Sequence, residues 1–220
     1  MNQQDQALKV AEFLLQIEAI KLNPENPFTW ASGLRSPIYC DNRKTLSYPD
    51  VRAFIRDAFA ATIRESFSNA EVIAGVATGG IAIGALVAEV LNLPFIYVRS
   101  EAKKHGLGNQ VEGVLHAKQR VVVIEDLIST GSSSLKAVEA LREADADIVG
   151  MVAIFTYGFA KAADRFAEAT CQVQTLSNYD SLLQQATHSG YITASQQATL
   201  TNWKSNPEAW SEHFLADQSH

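Results

Sequence analysis

The feature that most constrains this chain is an alternation of short apolar runs with helical segments, which begins near residue 71. Fully apolar strands of this kind lie in parallel sheets, because helices cover both faces of such a sheet. The sequence therefore predicts an α/β fold with a doubly wound, mostly parallel sheet flanked by helices. The predicted strands are Val72–Val76, Phe95–Val98, Val121–Ile124 and Ile148–Phe155, and the predicted helices between them include Ile81–Leu91 and Ser132–Glu143.

The ends of the chain have less regular patterns. A proline denies a helix one hydrogen-bond donor and restricts its neighbour, so Pro24 marks the end of a first helix. The segments predicted here are a helix over Gln6–Leu22, strands and turns over Phe28–Asp41, a helix over Pro49–Phe67 and a C-terminal helix that starts with a capping box at Thr193–Gln196.

The charge balance excludes several classes of partner. The chain has 18 Lys and Arg against 24 Asp and Glu, a net charge of −6, whereas broad binding to nucleic acid or an anionic membrane needs a basic face. No apolar run is long enough to cross a bilayer, and the first residues lack the layout of a secretory signal. Cys40 and Cys171 are too far apart for a zinc-ligand pattern. We expect a cytoplasmic protein with reduced thiols that binds neither nucleic acid nor membrane.

The segment after Val121–Ile124 carries the clearest chemistry. It begins with two adjacent carboxylates, Glu125 and Asp126, and continues into a turn of small hydroxyl residues before the predicted helix at Ser132. Backbone N–H groups and hydroxyls at such a helix start form a cradle for phosphate. The carboxylates would repel that phosphate and suit sugar hydroxyls instead, because ionised carboxylates only accept hydrogen bonds. A ribose 5-phosphate satisfies both halves, whereas a P-loop is excluded because no lysine follows Gly131.

The segment Val121–Ser134, VVVIEDLISTGSSS, resembles the phosphoribosyl-pyrophosphate (PRPP) signature of the type I phosphoribosyltransferases. The resemblance implies the fold of that family, with a small N-terminal hood over the sheet. It also implies that Glu125 and Asp126 hold the ribose hydroxyls and that Thr130–Ser134 cradle the 5′-phosphate. The PRPP-binding residues that it implies are Arg99, Lys103, His105, Glu125, Asp126, Leu127, Ile128, Ser129, Thr130, Gly131, Ser132 and Ser133.

A basic run, Arg99–Gly108, follows the second predicted strand at the edge of the sheet where ligands bind. Long loops at such positions are often lids or binding loops. Arg, Lys and His together suit a pyrophosphate leaving group, whose negative charge grows as its bond breaks. The run resembles the mobile catalytic loop of the orotate phosphoribosyltransferase family, with Arg99, Lys103 and His105 at matching positions. The catalytic residues implied are Arg99, Lys103, His105 and Asp126.

Two further segments resemble the same family. Phe28–Arg43 resembles its N-terminal hood, which folds over the pyrimidine, and this implies orotate contacts from Phe28, Trp30 and Ser129. Gly75–Gly80 resembles its pyrophosphate loop, where glycines let the backbone approach an anion closely. The positions at which family members carry a lysine that this chain lacks are Ala31, Gly79 and Ser100.

The resemblance covers nearly the whole chain and implies a transferase that moves 5-phosphoribose from PRPP to orotate. The products would be orotidine 5′-phosphate and pyrophosphate, in de novo UMP biosynthesis. It implies Mg²⁺ as cofactor, held mainly through PRPP and water without dedicated protein ligands, and a homodimer whose mobile loop is shared between subunits. It also implies one domain over residues 1–220, with a hood formed mainly by residues 1–48, a PRPP-binding core over 49–175 and C-terminal helices over 176–220.

Two other functions remain open at this point. A purine phosphoribosyltransferase would share the PRPP segment but not the Phe28–Arg43 segment. A regulator that senses PRPP or nucleotides on the same fold and binds nucleic acid would need a basic surface or an added domain, which the net charge of −6 disfavours.

Overall fold

The computed structural model describes residues 2–30, 32–100 and 110–217. Its strands are β1 (Ile20–Leu22), β2 (Phe28–Thr29), β3 (Arg35–Ser36), β4 (Ile38–Cys40), β5 (Val72–Val76), β6 (Phe95–Val98), β7 (Val111–Glu112), β8 (Arg120–Ile128), β9 (Asp147–Thr156) and β10 (Val173–Asn178). Its α-helices are α1 (Gln3–Gln16), α2 (Pro49–Ser66), α3 (Gly79–Leu91), α4 (Ser132–Glu143), α5 (Ala160–Glu168), α6 (Tyr179–His188), α7 (Ala194–Ser205) and α8 (Pro207–Asp217), and a 3₁₀ helix covers Asn42–Ser47. None of the described helices has the combination of length and apolarity that a membrane crossing requires.

Within the described ranges, the central sheet has six strands in the order β10-β9-β8-β5-β6-β7. All neighbouring pairs are parallel except β6 and β7, which confirms the predicted mostly parallel α/β sheet. From β5 the chain first adds β6 on one side, then crosses to β8 on the other and continues to β9 and β10. The carboxyl ends of β5 and β8 therefore flank the point where the strand order reverses, which is where sheets of this kind bind ligands.

Both faces of the sheet are covered, as the continuous apolar runs predict. Along β8, Val122 and Ile124 join a core cluster with α1, α2, α3, α6 and α7. Val121 and Val123 point the other way and join a second cluster with α4 and α5. All four side chains are fully buried, so β8 is anchored on both sides where it carries Glu125 and Asp126.

The predicted first helix is wrong at its C-terminal end. Helix α1 ends at Gln16, and Ile20–Leu22 forms a strand that pairs antiparallel with Ile38–Cys40. Glu18 adopts a positive φ of 53°, which is incompatible with helix continuation. The apolar residues at the end of the predicted helix alternate inward along a strand, a pattern that a short window does not distinguish from a helical face.

The predicted end of the central strand also requires correction. We expected the strand to end at Glu125 and Asp126, but β8 continues to Ile128 because Leu127 and Ile128 pair with β9. The two acids therefore lie within a hydrogen-bonded strand, and the turn starts only at Ser129.

The C-terminal part begins with a strand that the sequence did not predict. Strand β10 pairs parallel with β9, so the helices expected from residue 176 start at Tyr179. The capping box at Thr193 and Gln196 is confirmed, because each residue bonds to the backbone of the other.

Trp203 of α7 joins the N-terminal part of the chain to the C-terminal helices. Its ring is fully buried and meets Trp30, Tyr157, Phe159 and Tyr179 at centroid distances of 5.8, 5.8, 5.7 and 5.5 Å. Its indole N–H has no hydrogen-bond partner among the described residues, so the stabilisation that Trp203 gives comes from packing.

Replacing Trp203 by alanine should lower the free energy of unfolding by about 3–5 kcal/mol, because it empties the centre of the aromatic cluster. Urea denaturation followed by circular dichroism measures the change. The control is Tyr191→Ala, which removes a ring that is 44% exposed and should cost less than about 1 kcal/mol. Equal stability of the two variants would contradict the role given to Trp203.

Candidate active site

A cavity of about 750 Å³ opens at the point where the strand order reverses. It brings together most of the site residues predicted from the sequence: Arg99, Glu125, Asp126, Leu127, Ser129, Thr130, Gly131, Ser132 and Ser133. The lining also includes Val76–Gly79 of the segment Gly75–Gly80, called here the glycine turn. Five further lining residues had no individual role in the sequence analysis: Cys40, Asp41, Arg43, Gln110 and Lys136.

The two adjacent acids have different environments. Glu125 is only 5% exposed, and its oxygens accept hydrogen bonds from Ser134 Oγ at 2.8 Å and from the Asp126 backbone N–H at 3.0 Å. Burial, and next the neighbouring Asp126 carboxylate, raise the pKa of Glu125 to about 8. Asp126 is half-buried and lines the cavity. The pair thus offers a protonated carboxyl group and a second carboxyl group beside it.

Asn42 connects the N-terminal part of the chain to this pair. Its Nδ2 donates to the Asp126 backbone carbonyl at 2.7 Å, and its Oδ1 accepts from the Cys40 thiol at 3.3 Å. Asn42 is 1% exposed, so this contact is sealed from water. Sequence reasoning gave it no role, because a single asparagine in a turn carries no pattern that names a partner 84 positions away.

The turn Ser129–Ser133 begins helix α4 and has the form of an anion cradle. Gly131 occupies the N-cap position with a φ of +77°, which favours glycine. Arg165 of α5 supports the turn from outside, since its guanidinium donates to the Thr130 carbonyl at 3.0 Å and also contacts Ser132 Oγ. Of the predicted residues here, Ile128 is the exception, because its side chain is 2% exposed in the core and does not line the cavity.

Of the residues that the structure describes, three with cationic side chains line the cavity. Arg43 is held by Asp41, with Nε–Oδ1 at 2.7 Å and Nη2–Oδ2 at 3.1 Å. Arg99 approaches Glu112 at 3.5 Å. Lys136 lies on α4, one turn beyond the cradle. The predicted catalytic residues Lys103 and His105 lie outside the described residues.

A second cavity of about 340 Å³, the side cavity, shares the lining residues Ser129 and Thr130 with the first. It lies between the N-terminal part, the start of α5 and the C-terminal helices, and its other lining residues are Trp30, Leu34, Phe159, Ala160, Lys161, Lys204, Ser205, Asn206, Pro207 and Glu208. Of the residues expected to contact orotate, Trp30 and Ser129 line it. Phe28 lines neither cavity, because its ring packs on Tyr39 at 5.8 Å.

Comparisons with known proteins match this geometry. A family model described as a phosphoribosyl transferase domain matches residues 47–184. An orotate phosphoribosyltransferase of Listeria innocua is 55% identical over 92% of this chain and 97% of its own length. The chain belongs to the orotate phosphoribosyltransferase family. This confirms the resemblance stated from the sequence, and with it the type I phosphoribosyltransferase fold.

Solved structures of the family agree with this assignment. The orotate phosphoribosyltransferase of Aeropyrum pernix, 28% identical, superposes with a TM-score of 0.73 over 84% of this chain and 99% of that one. The Mycobacterium tuberculosis enzyme in complex with PRPP superposes with a TM-score of 0.63 over 80% of this chain and 98% of that one. At 19% identity, the second likeness shows the fold alone.

The glycine turn after β5 explains one departure from the orotate phosphoribosyltransferase pattern. A Cβ atom added to Gly79 would lie 2.2 Å from the Asp126 carboxylate, and one added to Gly80 would lie 2.3 Å from the Ile124 carbonyl oxygen. A side chain at Gly79, such as the lysine of some family members, would therefore require Asp126 to move. In this chain the turn contributes backbone rather than charge.

Because the pKa of Glu125 is raised in the folded protein, we expect the stability of the protein to depend on pH. The folded protein holds this proton up to about pH 8, whereas a free glutamate releases it near 4.5. Folded protein therefore binds more protons than unfolded protein between these values, and the free energy of unfolding should fall as the pH rises from 5 to 8. In Glu125→Gln, whose side chain cannot titrate, the decrease in the free energy of unfolding between pH 5 and 8 should be smaller by more than about 1 kcal/mol.

Urea denaturation at pH 5, 6.5 and 8 measures this slope. The control is Glu139→Gln, which removes an exposed carboxylate from α4. Its free energy of unfolding should change with pH as steeply as that of the wild-type protein. A Glu125→Gln slope equal to that of the wild type would show that Glu125 is already ionised at pH 5.

Proposed function

We propose that this protein transfers 5-phosphoribose from PRPP to orotate. In this proposal the first cavity, the donor cavity, holds PRPP, and the side cavity holds orotate, the acceptor. The observation that carries the proposal is the acid pair Glu125–Asp126, which lies next to an anion cradle at the point where the strand order reverses. One site thus offers partners for both the hydroxyls and the phosphate of a ribose 5-phosphate.

The cradle Ser129–Ser133 holds the 5′-phosphate in this proposal. Free N–H groups at the start of α4, together with the hydroxyls of Thr130 and Ser132, supply donors to the phosphate oxygens. Lys136 adds a positive charge from the next turn of the helix. Arg165 fixes the Thr130 carbonyl from behind, so that the turn is formed before the ligand arrives.

The acid pair holds the ribose hydroxyls. Asp126 faces the cavity and accepts hydrogen bonds from them. Glu125 is turned toward Ser134, and its proton reduces the repulsion between the two carboxyl groups. Asn42 fixes the Asp126 backbone and hence the direction of its side chain.

The pyrophosphate lies on the other side of the cavity, between the Thr78–Gly79 turn and Arg99. Arg99, and with it Lys103 and His105 of the basic run, stabilises the charge that develops on the leaving group. Among the described residues, no three His, Cys, Asp or Glu side chains are grouped as a metal site. Mg²⁺ would be held mainly by PRPP and water, with the carboxyl groups of Asp126 and Asp41 in the same cavity, and when bound it would supply positive charge next to the leaving group.

The reaction exchanges one bond at C1′ of the ribose. The bond from C1′ to the pyrophosphate oxygen breaks, its electron pair leaves with pyrophosphate, and the orotate ring nitrogen forms the new bond and releases its proton. Positive charge builds on the sugar as in glycoside cleavage, and the nearby carboxylate of Asp126 stabilises it. The proposal includes no covalent enzyme intermediate, and it places the working form in the cytoplasm as a homodimer with the basic run shared between subunits.

The choice of acceptor tests the proposal directly. Pyrophosphate release should be fastest with orotate when the protein is mixed with PRPP, Mg²⁺ and one of orotate, uracil, hypoxanthine, guanine or adenine. A preference for a purine base would identify a purine phosphoribosyltransferase with the same donor site. PRPP binding without release from any acceptor would indicate a sensor.

Replacing Asp126 by asparagine tests the sugar contact. The value of kcat/KM for PRPP should fall about 10- to 100-fold, because hydrogen bonds to a charged acceptor contribute about 1.5–3 kcal/mol. The free energy of unfolding should change by less than about 1 kcal/mol. The matched control is Asp57→Asn, which removes a surface carboxylate of α2 that pairs with Arg56. Wild-type rates in Asp126→Asn would refute the ribose role.

A further inference from the structure

The side cavity lies next to the donor cavity, with which it shares the lining residues Ser129 and Thr130. It is therefore placed to take an acceptor ring beside the sugar. Its described lining includes the aromatic rings of Trp30 and Phe159. Trp30 is fixed by a hydrogen bond from its Nε1 to the Ile38 carbonyl at 3.1 Å, and Phe159 is stacked on Tyr157 at 5.4 Å.

The two lysines that line the side cavity differ in their ion pairing. Lys204 is already neutralised, since its Nζ donates to both carboxylate oxygens of Asp180 at 2.8 and 2.9 Å. Lys161, in the first turn of α5, is exposed and forms no salt bridge with any described residue, including Glu208 of the same cavity. The side cavity therefore contains one ammonium group whose charge no described carboxylate neutralises by direct contact.

The cations of the donor cavity are committed elsewhere. Asp41 holds Arg43 through two hydrogen bonds, and Arg99 faces Glu112 on the pyrophosphate side. Lys136 lines the donor cavity one helical turn beyond the phosphate cradle, where the proposed function gives its charge to the 5′-phosphate. Among the described residues this leaves Lys161 as the cation beside the position of an acceptor ring.

We propose that Lys161 determines acceptor specificity by pairing with the ring carboxylate of the acceptor. The inference rests on the proposed function, because orotate is a flat pyrimidine that carries one carboxylate. With its ring between Trp30 and Phe159, the carboxylate faces the ammonium group and the ring nitrogen faces the sugar. Uracil, which has the same ring without the carboxylate, gains nothing from this charge.

The test is Lys161→Met, which keeps most of the unbranched side chain and removes its charge. The KM for orotate should rise at least about tenfold, while the KM for PRPP should stay within about twofold of wild type. Inhibition by uracil should be unchanged. Lys161→Arg should restore most of the affinity for orotate, because it restores the charge, and raising the salt concentration should weaken orotate binding in the wild type more than in Lys161→Met.

The matched control is Lys118→Met, which removes an exposed lysine that pairs with Asp145 and lines neither cavity, and it should leave the KM for orotate within about twofold. An unchanged KM for orotate in Lys161→Met would overturn the proposal, and so would an equal rise in the KM values for orotate and PRPP, which indicates a structural effect. A larger rise in the KM for orotate in Lys204→Met than in Lys161→Met would assign the orotate carboxylate to Lys204 and overturn the proposal. Failure of the wild-type protein to use orotate in the same assay would contradict the proposed function itself.

Discussion

The close approach of the β5–α3 turn to the end of β8 is the constraint on which the rest of the site depends. Added Cβ atoms at Gly75, Gly79 and Gly80 would each lie within 2.6 Å of an atom across this contact or within the turn. Only a backbone without side chains allows the two strands to end so close together. The distance between the cradle that follows β8 and the turn that follows β5 is therefore set by main-chain packing, and in our proposal these are the two ends that grip the donor.

Three side chains tie distant parts of the sequence to this edge of the sheet. Asn42 links the N-terminal segment to Asp126, Arg165 links α5 to the phosphate cradle, and Trp203 links α7 to the aromatic cluster around Trp30. Each contact joins residues that are at least 35 positions apart. Lining residues of the donor and side cavities are thus held in place by side chains that lie behind them and line neither cavity.

The sequence predicted those features that are encoded locally. Apolar runs located four of the six strands described in the central sheet, β5 and β6 to the residue, and the adjacent acids with the hydroxyl turn located the site. The errors arose where pairing with a distant strand decided the outcome. Ile20–Leu22 became a strand because β4 lies beside it, and β8 was extended through Leu127 and Ile128 because β9 continues beside it. Asn42, Arg165 and Lys161 went unnoticed because nothing in their local sequence indicates what they face.

The two halves of the donor site differ in stiffness because the acids lie within β8 and the phosphate cradle lies beyond it. Glu125 and Asp126 belong to a central strand with neighbours on both sides, whereas Ser129–Ser133 lie beyond the ladder, in a turn and the first residues of α4. The sugar-facing half therefore shares the rigidity of a buried central strand. The turn, by contrast, draws its order from the N-cap Gly131 and from the guanidinium of Arg165. Loss of Arg165 would therefore loosen the grip on the phosphate, while the geometry presented to the pentose ring stays fixed.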